Sequence, residues 1–152
     1  MQKVSVSELD GSEVASADRR ALSDALGTSD LAINYYALDP GEQFSGGLHT
    51  HLDQEEVFYV FEGTATFETP ERTVEVGPDE GVRFAPGDYQ QGRNDGDERV
   101  VALALGAPRN SSDVRVPGDC PECGEADSLA VELGPDGMAF VCPECGADVD
   151  LS

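Results

Sequence analysis

Two histidines stand one residue apart in the stretch GGLHTHLDQEEVFYVFEG, Gly46 to Gly63, and His49 and His51 are the only imidazoles among 152 residues. On an extended strand, residues i and i+2 share a face. Both rings can therefore converge on one point. Glu56 can add a carboxylate from the start of the next stretch. Two imidazoles and one carboxylate on one side of a divalent first-row ion leave other coordination positions open. Zinc, iron(II), manganese, nickel and cobalt all suit such a set. A surface pair of histidines on a turn fits H-x-H alone, so the surrounding pattern has to decide. Glu55 adjoins Glu56 but on a strand faces the other way, as a solvated acid does. Both carboxylates are the candidates for proton transfer, because no further histidine is available.

A second cluster lies near the C-terminus. Cys120-Pro-Glu-Cys123 and Cys142-Pro-Glu-Cys145 are two C-x2-C knuckles, each followed by glycine and separated by eighteen residues. Four thiolates in this arrangement build a tetrahedral zinc site, closed and therefore structural. Two disulfides are the competing reading, and a reducing cytosol disfavours them. The intervening SLAVEL and MAFVC, joined by GPDG, read as a β-hairpin. The segment resembles a zinc ribbon or rubredoxin-like knuckle over residues 118–150. A module of about 33 residues cannot bury an adequate core, so the metal is expected to supply its folding energy.

The charge limits the partners. Thirty-one acids face nine bases, the formal net charge is −22, and Lys3 is the only lysine. A dense negative surface repels nucleic acid and anionic membranes. The ribbon itself, over residues 117–152, carries nine acids and no lysine or arginine, which argues against the nucleic-acid binding of many ribbons. The acid-rich, lysine-poor balance resembles proteins of salt-loving microbes. No apolar stretch approaches the roughly 20 residues that span a bilayer. The N-terminal MQKVSVSELDGSEV lacks the apolar core of a signal peptide, so a cytoplasmic location is expected.

The elements that must position these residues are mostly strands. Glycine and proline are frequent and the apolar runs short, with turn signals every few residues. Val4 and Val6 suggest an edge strand. Ser16 to Gly27 reads as one short helix, capped by Ser16 or Asp18 and stopped by Gly27. Strands are expected over Leu31–Leu38, Val57–Phe61, Thr64–Glu68, Arg72–Val76, Val82–Ala85 and Val100–Leu105, with Asn94–Arg99 as a hairpin turn. Gly106 to Asp119 reads as a polar linker. The expected organisation is a barrel with an N-terminal extension over 1–112, a linker over 113–118 and a ribbon over 119–152.

Taken together, Gly46, H-x-H, four residues, Glu56, six residues and Gly63 resemble the first signature motif of the cupin superfamily. APGDYQQGRN, Ala85 to Asn94, resembles the second: Pro86-Gly87 matches, Asn94 lies four positions after Gln90, and Gln90 fills the slot that most cupins give to a third histidine. The resemblance covers residues 30–107. It implies an all-β fold, a double-stranded β-helix or jelly-roll barrel, with a metal in its mouth held by His49, His51, Glu56 and Gln90. A glutamine amide is a neutral and weaker ligand than imidazole, and some cupins have lost their metal. Arg83 and Arg93 lie close to motif positions and can fork onto a substrate carboxylate or phosphate; a surface ion pair is the alternative.

Three functions are consistent with this sequence. The first is a metal-dependent enzyme, an oxidoreductase or isomerase acting on a small oxygen-rich molecule. The second is a non-catalytic small-molecule or metal-binding sensor whose ribbon contacts a protein partner. The third is a structural or storage-like protein with a vacant barrel. The resemblance also implies a homodimer, which suits the VFYVF run with apolar residues on both strand faces.

Overall fold

The computed structural model describes residues 1–14, 17–135 and 137–151. Its strands, in chain order, are β1 (Ser12–Val14), β2 (Ala17–Ala21), β3 (Ala32–Leu38), β4 (Thr50–His51), β5 (Glu55–Glu62), β6 (Ala65–Glu68), β7 (Thr73–Val76), β8 (Glu80–Phe84), β9 (Gln91–Arg93), β10 (Val100–Ala107), β11 (Val114–Pro117), β12 (Ser128–Gly134) and β13 (Gly137–Val141). The single α-helix among the described residues, α1, spans Leu22–Leu26. The fold is mostly β, as the turn spacing implies, and it is a jelly roll.

Six strands form one sheet in the order β1-β2-β3-β10-β5-β8, and β7-β6-β9 form a facing sheet. Strict alternation on β10 puts Val100, Ala102 and Ala104 into the core and leaves Val101, Leu103 and Leu105 half-buried on the outside. Tyr36, Leu38, Phe58 and Val60 join them from one sheet, and Ala65, Phe67 and Val76 from the other. Phe44 completes the contact, with its ring stacked on Phe67 at 5.6 Å between centroids and edge-on to Phe58 at 5.1 Å. Such ring geometries add to the area that they bury.

Several expected elements differ. Val4–Val6 is not an edge strand; Val6–Glu8 is a 3-10 turn. The expected helix is strand over its first half, and its possible cap Ser16 lies outside the described residues. Arg19 pairs with Tyr36 and Ala21 with Asn34 of β3, so the sheet register overrides the helix propensity of this alanine- and arginine-rich segment. On the outer side Arg20 donates to the Val6 and Leu9 carbonyls at 2.9 and 3.1 Å and thereby ties down the N-terminal extension. Gly27 ends α1 in the left-handed region at φ 69°, where glycine carries no Cβ penalty.

Asn94–Arg99 is a crossover rather than a hairpin turn, because β9 and β10 lie in different sheets. Asn94 is wholly buried there, and its amide donates to the Leu38 and Glu98 carbonyls at 3.0 and 2.8 Å. Val114–Pro117, expected within a linker, is strand β11. It pairs on one edge with β4 and on the other with β12, which in turn pairs with β13. The SLAVEL and MAFVC strands form the expected hairpin, whose turn residue Asp136 lies outside the described residues. Among the described residues no helix is long and apolar enough to cross a membrane.

Gly92 shows how tightly the site's strand is packed. A Cβ there would lie 2.5 Å from Phe67 and 2.7 Å from Phe44, both core rings. Gly92→Ala is therefore expected to cost about 1–3 kcal/mol through overpacking. Urea unfolding checks this, and an unchanged midpoint would show that the rings can yield.

Candidate metal centre

The two H-x-H imidazoles are placed by a ladder step. The His49 amide donates to the Gln90 carbonyl at 3.2 Å, and the Gln90 amide donates back at 2.9 Å. Directly opposed residues in such a pair turn their side chains to one face. Thr50, between the histidines, is buried on the opposite face. Glu56 arrives from β5 in the other sheet. The metal-ligating atoms of His49, His51 and Glu56 all lie within 4.8 Å of one another.

Each imidazole has its Nδ1 committed elsewhere. His49 Nδ1 lies 2.9 Å from the Gly47 carbonyl, which can only accept, so this nitrogen carries the hydrogen. His51 Nδ1 lies 2.9 Å from Ser111 Oγ. That hydroxyl gives its one hydrogen to Asp53 Oδ1 at 2.7 Å. Its oxygen must then accept from His51, so Nδ1 again carries the hydrogen. Both rings are left with an unprotonated Nε2, the form that binds metals, and a partner on the other nitrogen fixes the tautomer. Hydrogen bonds from Ser111 and the Ser112 amide hold Asp53 down at about 2.

Burial tunes the charges. It lowers His49 from the ordinary imidazole value, and burial with the neighbouring His49 lowers His51. Burial pushes the Glu56 carboxyl up to about 7, against the opposing pull of the Gln90 hydrogen bond. His51 Nε2 and Glu56 Oε2 stand 3.9 Å apart.

Gln90 is 2% exposed and its Nε2 donates to Glu56 Oε2 at 3.1 Å. Its Oε1 is buried without a hydrogen-bond partner. An acceptor stranded this way costs about 1–3 kcal/mol. Two free Nε2 atoms, a buried carboxylate and a stranded amide oxygen fit a divalent cation, which would satisfy them all. The residues present thus suit a metal without a third imidazole.

The four cysteines also converge. All four sulfurs lie within 4.8 Å of one another, with Cys120–Cys145 and Cys123–Cys142 each 3.7 Å apart. A tetrahedron with zinc–sulfur bonds of about 2.3 Å has edges near 3.8 Å, far from the roughly 2 Å of a disulfide. Both knuckles turn through a left-handed glycine, Gly124 at φ 67° and Gly146 at φ 75°. The Glu144 and Cys145 amides reach the Cys142 sulfur, and the Ala147 amide that of Cys145. Leu129, Ala126 and Val149 form a small core behind the cluster.

Other expected site residues lie apart. Glu55 faces outward and pairs with Arg83 at 2.6 Å, and the Arg83 side chain is 57% exposed. Arg93 is held by Glu68 at 2.6 Å and by Asp95 at 2.8 Å. The structure brings none of the three to the histidines, because their strands turn Glu56, Phe84 and Gly92 inward instead. Two surface clefts, one including Arg83 and Tyr89 and the other Asp39 and Arg99, contain none of His49, His51, Glu56 or Gln90.

Two groups of contributing residues escape sequence reading. Arg19 comes from β2 on the face shared with buried Ala17 and stands across the ladder from Tyr36, whose hydroxyl feels the charges of Arg19 and Glu56. The alternation Ala17, Arg19, Ala21 is its signal in the sequence. Asp53 and Ser111 stand 58 residues apart, and no local pattern links them.

Comparison with known proteins agrees with this architecture. Residues 34–106 match the model described as "Cupin domain". Among solved structures, the chain is similar to a sugar phosphate isomerase of a cupin superfamily from Silicibacter pomeroyi, at 21% identity and a TM-score of 0.72, covering 95% of this chain and 94% of that one. It is similar to the polyketide cyclase RemF from Streptomyces resistomycificus at 22% identity and a TM-score of 0.66, covering 82% and 91%. A protein with a double-stranded β-helix domain from Klebsiella pneumoniae matches at 20% identity and a TM-score of 0.60, covering 73% and 93%. At these identities the likeness is one of fold. Among curated proteins, no sequence matches.

The protonation states lead to a pH dependence. Near neutrality the histidines hold no proton for a metal to displace, whereas Glu56, at about 7, does. With zinc already in the four-cysteine site, apparent manganese affinity should level off above about pH 7 and fall about tenfold per pH unit below it. Titration against a fluorescent chelator from about pH 6 to about pH 8 measures this. A flat profile would show that metal binding displaces no proton from Glu56 in this range.

Proposed function

Because residues 34–106 are a cupin domain, we propose that the chain holds one divalent transition metal through His49, His51, Glu56 and the Gln90 amide oxygen, and isomerises a small oxygen-rich molecule there. The observation that carries this reading is the convergence of three ligand atoms within 4.8 Å, with both imidazoles presenting a free Nε2. When bound, such an ion supplies a Lewis acid for a hydroxyl or carbonyl oxygen. The chain supplies the rest. Glu56, once a metal has displaced its proton, would keep a carboxylate at the site facing His51 that can accept a proton. Tyr36 and Arg19 offer a hydroxyl and a guanidinium on the inner face of the barrel.

Sugar phosphates are the first substrate class to test. The Silicibacter pomeroyi structure named for that activity spans almost the whole chain, an analogy of fold rather than of site. Arg19 strengthens it, because among the described residues it forms no ion pair in a protein with 31 acids, so its fork is open to a phosphate. A sensing module with a protein partner is favoured by a separate observation. Leu133 and Met138 pair across the ribbon hairpin and are 82% and 62% exposed. We place the protein in the cytoplasm of a cell with high internal salt, where the four thiols stay reduced.

Metal analysis and a substrate panel test the main reading. Untagged protein purified in high salt should carry about two metals per chain, one of them zinc at the four cysteines. Glu56→Gln should lower turnover of the accepted sugar phosphate by at least about 100-fold. Arg19→Met should chiefly raise KM. A single zinc per chain with no turnover would favour the sensor.

The outer face of the larger sheet suits a homodimer. Tyr35, Leu103 and Tyr59 stand side by side in register, as do Ile33, Leu105 and Val57. Such an apolar row on a sheet face is ordinarily covered. Sedimentation should give a dimer, and Leu103→Glu a monomer with the barrel intact.

A further inference from the structure

The segment that enters the ribbon also holds the barrel's second histidine. Ser111 Oγ receives His51 Nδ1 at 2.9 Å and donates to Asp53 Oδ1 at 2.7 Å. Asp53 Oδ2 gathers the next two residues. It accepts the Ser112 amide at 2.7 Å, the Ser112 hydroxyl at 3.2 Å and the Asp113 amide at 3.2 Å. The Leu52 amide closes the loop on the Asp113 carbonyl at 2.8 Å. The very next residue begins β11, where Val114 pairs with His51 and Arg115 with Thr50.

The other edge of β11 belongs to the ribbon. Arg115, Val116 and Pro117 pair with Ala130, Leu129 and Ser128 of β12. Val116 packs into the small ribbon core with Leu129 and the cysteines. One strand of four residues therefore carries both the ladder that places His51 and the ladder that places the cysteine hairpin. A module this small folds on its metal. Without that metal the β12 edge of β11 is lost, and the segment from Ser111 keeps only its contacts with Leu52, Asp53 and β4.

We propose that Ser111 and Asp53 are positioning residues that set the His51 tautomer for metal binding, and that the metal-loaded ribbon holds them in place, so that filling the four-cysteine site tightens the barrel site. The proposal rests on the reading of His49, His51 and Glu56 as metal ligands. Its logic is thermodynamic. If ribbon metal raises barrel affinity, barrel metal raises ribbon affinity by the same factor. The hydroxyl is the switch point: with its hydrogen committed to a carboxylate it can only accept from Nδ1, and His51 keeps Nε2 bare. Without the hydroxyl, nothing favours that tautomer.

Two measurements on the full chain test this. In the metal-free protein, imidazole nitrogen NMR should show hydrogen on Nδ1 of His51. Ser111→Ala should shift the ring toward the Nε2–H form, and Ser111→Thr should restore it. In cobalt(II) titrations read by absorption, the thiolate bands report the ribbon and the weaker d–d bands the barrel. Ser111→Ala and Asp53→Asn should weaken barrel cobalt by about 10- to 100-fold and leave the ribbon's thiolate bands in place. Cys145→Ser, which disables the ribbon site, should weaken the barrel site by about 5-fold or more. Equal barrel affinity in wild type, Ser111→Ala and Cys145→Ser would overturn the proposal while leaving the metal reading standing. No cobalt at the histidines of the wild type would overturn both. An unmoved tautomer in Ser111→Ala would overturn the positioning role whatever the affinities.

Discussion

A strand of two residues holds this molecule's chemistry in place. Thr50–His51 is too short to be stable alone, and it is clamped from both sides. On one edge the preceding His49 exchanges two backbone hydrogen bonds with Gln90; on the other, Thr50 and His51 pair with Arg115 and Val114. The first clamp aligns Gln90 with the histidines and joins the strand to β9. The second carries the sheet onward into the ribbon. Between them they turn β7-β6-β9 and β13-β12-β11-β4 into a continuous surface facing the six-stranded sheet. Glu56 reaches the histidines only because that surface and β5 close on the same aromatic core.

Polar groups buried at this depth are costly unless satisfied. The barrel resolves most of them locally. Gly47 and Ser111 take the two Nδ1 hydrogens, and Asn94 spans Leu38 and Glu98. What remains unresolved clusters at one point: a carboxyl forced up toward neutrality, two bare Nε2 atoms and the stranded Gln90 oxygen. Gln90 presents an amide oxygen at this point rather than a ring nitrogen, and the amide's other end holds Glu56.

Local patterns were legible and long-range ones were not. The H-x-H pair with Glu56, the paired C-x2-C knuckles and most strands of the barrel could be read from residue type and period, whereas Gln90 emerged only through the resemblance to the second cupin motif. The segment around Arg19 could not, since alanine and arginine favour helix and only pairing with β3 makes it strand. Val114–Pro117 sits in a polar, proline-bearing stretch that looks like a linker, and only its partners on both edges make it a strand. For the arginines near the second motif the sequence left a substrate fork and a surface ion pair both open. Proximity along the chain says nothing of the face, and strand alternation sends Arg83 and Arg93 outward to the acids there. Asp53 and Ser111 were invisible because their link depends on how β11 returns past β4.

The surface charge bears on the substrate. A formal −22 on a chain of this size repels an incoming phosphate over a Debye length, which is about 10 Å at 0.1 M salt and about 3 Å at 1 M. At low ionic strength the acidic coat would therefore oppose the ligand that Arg19 is placed to receive. In molar salt the same coat is screened down to contact distance, while the guanidinium on the inner face, beside buried Tyr36, acts at short range and is screened far less. High salt therefore eases the approach of an anionic substrate past an acidic exterior while leaving a cationic interior group effective at contact.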